Sequence, residues 1–256
     1  MEARYFSSDM SVMLGRSMRH VFRSTDTIIK VAIMPIAMML LFVYVFGGAI
    51  QSEAHNYVNY LLPGILLMAI ASGIAYTAYR LFLDVQRGIF ERFHSMPISH
   101  SAVLWGHVLT SVVSNAISLV VIVLVALLMG FRSPAGILSW LAVIGILALF
   151  TLALTWIAAV AGLSAKTIDG ASAFSYPLLF LPFISSAFVP TRTMPSVVRV
   201  FAENQPVTSI VNALRALLSN QPVGNGIWIA LAWCVGIMVV AYFFAMRAYR
   251  RRVSSR

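Results

Sequence analysis

Apolar positions along this chain do not alternate in twos or recur every third or fourth residue. They gather into continuous runs of roughly 20 residues or more, the length a helix needs to cross about 30 Å of hydrocarbon. Six such runs stand out, at 31–50, 57–79, 103–130, 137–165, 171–189 and 227–246. A membrane span must pair its own backbone groups, and barrel strands would read as ~10-residue alternating segments, so runs of this kind predict helices. The expected fold is an all-α membrane protein with six transmembrane helices, a single domain over 1–256.

The stretches between the runs are patterned differently. Ahead of the first run, within 1–30, Arg16, Arg19, His20 and Arg23 recur at helical spacing, while Met10, Leu14, Met18, Val21 and Phe22 take the other side. This predicts an N-terminal interfacial helix with its basic face toward lipid phosphates, Arg16, Arg19 and Arg23 forming that interface. The fifth run is interrupted by Pro177 and Pro182, which remove backbone donors a lipid-exposed helix needs. The segment 190–225 that follows carries Pro195, Pro206 and Pro222. In it Val197, Val198 and Phe201, then Ile210, Val211, Leu214 and Leu217, recur at helical spacing. Two short helices re-entering the outer leaflet or capping the bundle are expected there, with Pro177, Pro182 and Pro206 as helix breaks at an exterior gate.

Charge orients this frame. Only 10% of the 256 residues are charged, against about 25% in a soluble domain. The net charge of +10 comes from basic residues at the edges of apolar runs rather than from a patch with interleaved aromatics, so no nucleic acid is expected as a partner. With the N-terminus inside, fourteen of the eighteen Lys and Arg fall in cytoplasmic segments, leaving Arg132, Arg192, Arg199 and Arg215 outside. That asymmetry places both termini in the cytoplasm. The first run follows a long polar stretch with no cleavage signal and is expected to remain in the mature chain. Arginine outnumbers lysine sixteen to two, as in a chain from a GC-rich bacterial genome, so the bacterial cytoplasmic (inner) membrane is the expected location.

Few chemical devices are available. The single cysteine, Cys234, lies within an apolar run and reads as a small buried hydrophobe. Neither lysine, Lys30 or Lys166, follows a glycine, so there is no P-loop, and no zinc or serine-hydrolase motif occurs. All eight acidic residues lie outside the centres of the runs, which disfavours an ion-coupled transporter or a membrane-embedded enzyme. No catalytic, metal or cofactor site is expected in this chain. Lys166 and Asp169 are spaced to pair locally. His107 and Asn115 are expected to serve helix packing, although contact with a substrate stays open. Ala69, Gly73 and Thr77, and likewise Ala158 and Gly162, permit close helix contact.

One charged island, 84–97, separates the second and third runs. Ile89, Phe90, Phe93 and Met96 line one side of an expected helix, Arg87, Glu91 and Arg92 supply charge, and Pro97 ends it. Such a helix can seat an apolar ridge in a groove of another protein or lie on lipid. The stretch DVQRGIFERFHSMPISHSAVLWGHVL resembles the corresponding segment of ABC-2 type permeases, with a G-x-x-E-R-x-x-x-x-P pattern at Gly88, Glu91, Arg92 and Pro97. The stretch FISSAFVPTRTMPSVVRVFAENQPVTSIVNALRAL, with its Asn-Gln-Pro-Val-Thr turn, resembles the fifth-span and exterior region of the same family, and the drug-export permeases of the daunorubicin-resistance type in particular.

The resemblance implies a non-catalytic subunit that pairs with a second permease copy, as a homodimer, or with a close relative, and binds two copies of a separate cytoplasmic ABC ATPase. ATP and Mg would be held on that partner. Arg87, Gly88, Ile89, Phe90, Glu91, Arg92, Phe93, Met96 and Pro97 would form the coupling helix, although Gln86 and Arg87 stand where the family often carries acidic residues. The expected activity is export of hydrophobic or amphipathic small molecules. Alternatives are export of a polysaccharide or glycolipid by a permease of the same family, an ion-coupled secondary transporter, and a passive membrane anchor.

Overall fold

The structure, a computed structural model, describes residues 25–47, 57–87 and 100–254. It is built from nine α-helices among these residues, with no strand. Helix α1, Thr25–Leu40, runs into a π-helical turn, Leu41–Phe46; α2 is Tyr57–Gln86, α3 His100–Leu128 and α4 Ile137–Ser164. Two six-residue helices, α5 (Ile168–Ala173) and α6 (Ser175–Phe180), lead into a 3-10 turn, Leu181–Ile184. Helices α7 (Ser196–Asn204) and α8 (Pro206–Leu218) precede the last, α9 (Gly226–Ser254).

Four of these, α2, α3, α4 and α9, are long and apolar enough to cross a membrane. Where the first and fifth spans were expected, the chain forms shorter apolar helical stretches, Ala32–Phe46 and Ile168–Ile184. Proline explains the fifth. Pro177 cannot donate to the carbonyl of Ala173 and Pro182 cannot donate to that of Leu178, so the helix breaks at Phe174 and again after Phe180. Two other boundaries move. Residues 25–30, expected in the interfacial helix, belong to α1, and 84–86, expected in the coupling helix, are the last residues of α2. Arg16, Arg19 and Arg23, and the island from Gly88 through Ile89, Phe90, Glu91, Arg92, Phe93 and Met96 to Pro97, lie outside the described residues.

Helix α2 is the buried axis. Within its most apolar stretch 78% of residues are inside the fold, against 28%, 39% and 22% for α3, α4 and α9. It is apolar all round, as a helix enclosed on every side must be, with Leu61, Leu62, Ile65, Leu66, Leu67 and Ile70 almost wholly buried. Helices α1, α3, α4, α5 and α8 pack against it, and α9 lies on α4. The outer helices leave apolar faces uncovered: Ile137, Leu138, Leu141 and Ile144 on α4, and Trp228, Ile229, Val239 and Phe243 on α9. Faces of this extent suit lipid, where apolar exposure carries no penalty.

Close approach rests on glycine at three points. A Cβ on Gly64 of α2 would stand 2.6 Å from the Cβ of Ala187, and one on Gly162 of α4 2.9 Å from the carbonyl oxygen of Ala78. One on Gly73 would meet the Asn115 side chain. The close packing expected around Gly73 and Gly162 is therefore present. Two helices end in left-handed caps: Gly130 (φ 98°) after α3 and Asn220 (φ 53°) after α8. In each, the next residue's N–H reaches back to the final turn, Phe131 to Ala126 and Gln221 to Ala216, both at 2.9 Å.

Candidate functional site: a carbonyl clasp and a polar seam on the central helix

Polar groups gather at the two ends of α2. At its first turns, the chain leaving the broken α6 exposes carbonyls that no helix can satisfy, and a bilayer would leave them costly. Side chains from α2 and α8 take them instead. The Arg215 guanidinium donates to the Ser186 carbonyl at 2.7 Å, to the Tyr60 carbonyl at 3.2 and 3.3 Å, and to Asn212 Oδ1 at 3.0 Å. Its carbon lies 3.8 Å from the centre of the Tyr60 ring, a cation–π contact. The Tyr60 hydroxyl donates to the same Ser186 carbonyl at 2.9 Å, and the Tyr57 hydroxyl to that of Phe188 at 3.2 Å. Gln205 Nε2 donates to the Ile184 carbonyl, and the Ser186 N–H to Thr208 Oγ1 at 3.3 Å. Burial pulls the Arg215 pKa down while Tyr60 pulls it back up; a guanidinium stays charged throughout.

The proline residues marked by the sequence divide in this clasp. Pro177 and Pro182 create the broken segment, and Pro182 is itself buried, its carbonyl accepting from Ser185 Oγ at 2.6 Å. Pro206 opens α8 at a position where a missing N–H costs nothing, starting the helix that presents Thr208, Asn212 and Arg215. Tyr57, Tyr60, Gln205 and Arg215 carried no sequence signal for this role, because their partners are backbone groups more than twenty residues away. Helix α8 buries Ile210, Val211, Leu214 and Leu217 against the bundle, as its spacing predicted, whereas Val197 and Phe201 of α7 face outward. Beside them Arg199 Nε donates to Glu203 at 2.9 Å and holds that exposed carboxyl below its usual range.

At the other end of α2 the contacts run between side chains. His107 Nε2 and Asp84 Oδ2 are 3.1 Å apart, joining the last turns of α2 to the second turn of α3. Arg87 follows as an exposed residue where the described part of α2 ends. Further into the bundle, Thr77 Oγ1 and Ser111 Oγ are 2.7 Å apart, and Thr155 Oγ1 on α4 reaches Ser111 Oγ at 3.4 Å. Thr110, Ser118, Thr151 and Thr155 also donate to carbonyls one turn back, which keeps each hydroxyl paired in an apolar setting. Asn115 sits in this seam under Gly73, so both polar residues noted in the third run do serve helix packing. The pair expected between Lys166 and Asp169 is not formed. Thr167 instead caps α5, accepting from the Gly170 N–H at 3.1 Å, and Asp169 occupies the first turn.

Between these two ends a groove of about 320 Å³ opens among α2, α3 and α4. Leu66, Leu119, Val123, Trp140 and Leu147 line it, and Thr151 is its single hydroxyl. Such a surface holds a ligand by burial rather than by charge.

Over residues 9–219 the chain matches the model of the ABC-2 type transporter family. It belongs to that family. Among curated relatives, the daunorubicin resistance ABC transporter permease protein DrrB1 of Streptomyces coeruleorubidus is 32% identical over 88% of this chain and 80% of its own length. The probable doxorubicin resistance ABC transporter permease protein DrrC of Mycobacterium tuberculosis is 24% identical over 97% of this chain and 91% of its own. A putative transport permease, ycf38, from Cyanophora paradoxa is 24% identical over 84% of this chain and 76% of its own. This ABC-2 chain is thus a multi-pass transmembrane subunit of an ABC transporter, and the carbonyl clasp falls inside the matched region.

Proposed function

We propose that this chain is the permease half of an ATP-driven exporter that moves hydrophobic or amphipathic small molecules out across a bacterial cytoplasmic membrane. The observation that carries the reading is the 32% identity, over most of both chains, to a daunorubicin resistance permease. The apolar groove among α2, α3 and α4 supports it, since a lining with one hydroxyl suits a greasy cargo better than a glycan. An ion-coupled mechanism has less support, because the Asp84–His107 pair lies in the last turns of α2 rather than at its centre.

In this reading the chain crosses the membrane six times, α1 and the α5–α6 segment being the two short crossings. Both termini are cytoplasmic, the Arg215 end of α2 faces the exterior and the Asp84 end the cytoplasm, as the distribution of Lys and Arg favours. The interfacial helix around Arg16, Arg19 and Arg23 rests on lipid. Residues 87–97, from Arg87 to Pro97, seat in a groove of a separate ATPase, two copies of which serve a pair of permeases and hold the ATP and Mg. Closure of the ATPases moves Phe90 and Phe93 as rigid knobs, and the displacement enters the bundle through the roots of α2 and α3.

Co-expression of the chain with an ABC ATPase encoded beside it tests this directly. The two should co-purify, and Phe93→Asp should reduce cargo-stimulated ATP hydrolysis and export at least tenfold while the chain still inserts and folds. Export at the normal rate by that variant, or transport by the permease with no ATPase present, would remove the coupling role.

A further inference from the structure

The seam between α2 and α3 contains a polar notch that helix packing alone does not account for. It is bounded by Gly73, Thr77, Arg80, His107, Ser111 and Asn115 and holds about 20 Å³, room for one water-sized group. Asn115 is 3% exposed. Its Nδ2 donates to the Ser111 carbonyl at 2.9 Å, and only the amide nitrogen can make that bond, so the orientation of the side chain is determined. Its Oδ1 is then buried with no hydrogen-bond partner. That oxygen lies against Gly73, at the place a Cβ would occupy. A Cα–H is a weak donor and leaves the main acceptor capacity of an amide oxygen unused. In a low-dielectric interior an unfilled acceptor is costly, and a group that fills it recovers that cost on binding.

We propose that this notch is a cargo subsite that receives a hydroxyl group, which donates to Asn115 Oδ1 while the apolar body of the molecule remains outside. The proposal rests on the exporter reading above and narrows its substrate class to hydrophobic compounds bearing a hydroxyl. The volume admits a hydroxyl but not a ring or a carboxylate. The Arg80 guanidinium at the notch opposes a second cation, and Asp84 is already engaged by His107, so a neutral donor is preferred over an ammonium. The neighbouring hydroxyl of Ser111 is already surrounded by Thr77 at 2.7 Å and by Thr155 Oγ1 and Asn115 Nδ2 at 3.4 Å, so Asn115 Oδ1 is the acceptor left for an incoming hydroxyl hydrogen.

The test uses three flexible probes that differ only at the tip: 1-butylpyrene, 1-pyrenebutanol and 1-pyrenebutylamine. The purified full chain is placed in phosphatidylcholine nanodiscs, whose headgroup has no hydroxyl to compete, and saturable binding is read by energy transfer from its tryptophans to pyrene. The alcohol should bind about tenfold more tightly than the hydrocarbon, the return expected for filling one buried acceptor, and the amine no more tightly than the hydrocarbon. Asn115→Leu should abolish the tenfold preference while leaving butylpyrene affinity unchanged. Gly73→Ala, which displaces Oδ1 and keeps the amide, should do the same and decides the matter alone if the leucine variant does not fold. Equal binding of alcohol and hydrocarbon would mean that the notch holds only water, and a preference surviving in Gly73→Ala would place the hydroxyl elsewhere; either result overturns the subsite. No ATPase or nucleotide is present, so failure of the coupling reading leaves this measurement unaffected.

Discussion

The two ends of α2 are held by different kinds of bond. At the Arg215 end, side chains from α2 and α8 grip main-chain carbonyls of Tyr60, Ile184, Ser186 and Phe188. At the Asp84 end, side chain meets side chain: Asp84 with His107, Thr77 with Ser111, Ser111 with Thr155. A carbonyl cannot rotate away from its partner without moving the backbone, whereas a hydroxyl or carboxylate can change rotamer and find another partner. One end is therefore built to keep its arrangement, and the other can exchange contacts at low cost.

The sharpest way to break this contrast is at Arg215. Arg215→Met strips the Tyr60 and Ser186 carbonyls of their guanidinium donor and should destabilise the folded chain by about 3 kcal/mol, read as a shift in the unfolding midpoint in mild detergent. Arg215→Lys should recover less than half of that, since an ammonium cannot span the carbonyls and Asn212 together. The same substitution made twice on one helix comes next. Gly64→Ala pushes a methyl against Ala187, including its backbone, and should cost about 2 kcal/mol. Gly73→Ala meets the Asn115 amide, which yields more readily than backbone but strains its bond to the Ser111 carbonyl, and should cost less than Gly64→Ala, about 1 kcal/mol. The smallest effect belongs to the Asp84–His107 contact. A double-mutant cycle of Asp84→Asn and His107→Ala should give a coupling energy below about 1 kcal/mol, because both groups are partly exposed. A value matching that of Arg215 would erase the contrast.

Much of this frame was legible in the amino-acid sequence, and the gaps have physical reasons. The fourth run, read as 137–165, is α4 at Ile137–Ser164, because an apolar run bounded by Gly136 and Lys166 leaves a helix little choice of ends. Helix α2 continues to Gln86, past the predicted 79. Apolarity reports where lipid ends, and hydrogen bonding carries the helix further. The break at Pro177 and Pro182 was visible as missing donors. The clasp that repairs it was not, since Arg215 read only as one of four exterior basic residues, on an expected short helix, and its acceptors exist only after the chain has broken. Asp84 opens the island and His107 lies beyond its end in the third run, and nothing in local spacing brings them together. The notch at Asn115 is a matter of which amide atom faces Gly73, a detail no pattern of residue types contains.

The length of α2 has a mechanical meaning. Its 30 residues extend about 45 Å, so the helix is longer than the roughly 30 Å of hydrocarbon is thick. If the Gly64–Ala187 contact acts as a fulcrum, the arm from there to Gln86 is about 33 Å long. A swing of about 10° then carries its tip about 6 Å, roughly one helical turn, so a modest push at the far tip needs only a slight rotation where the arm is pinned.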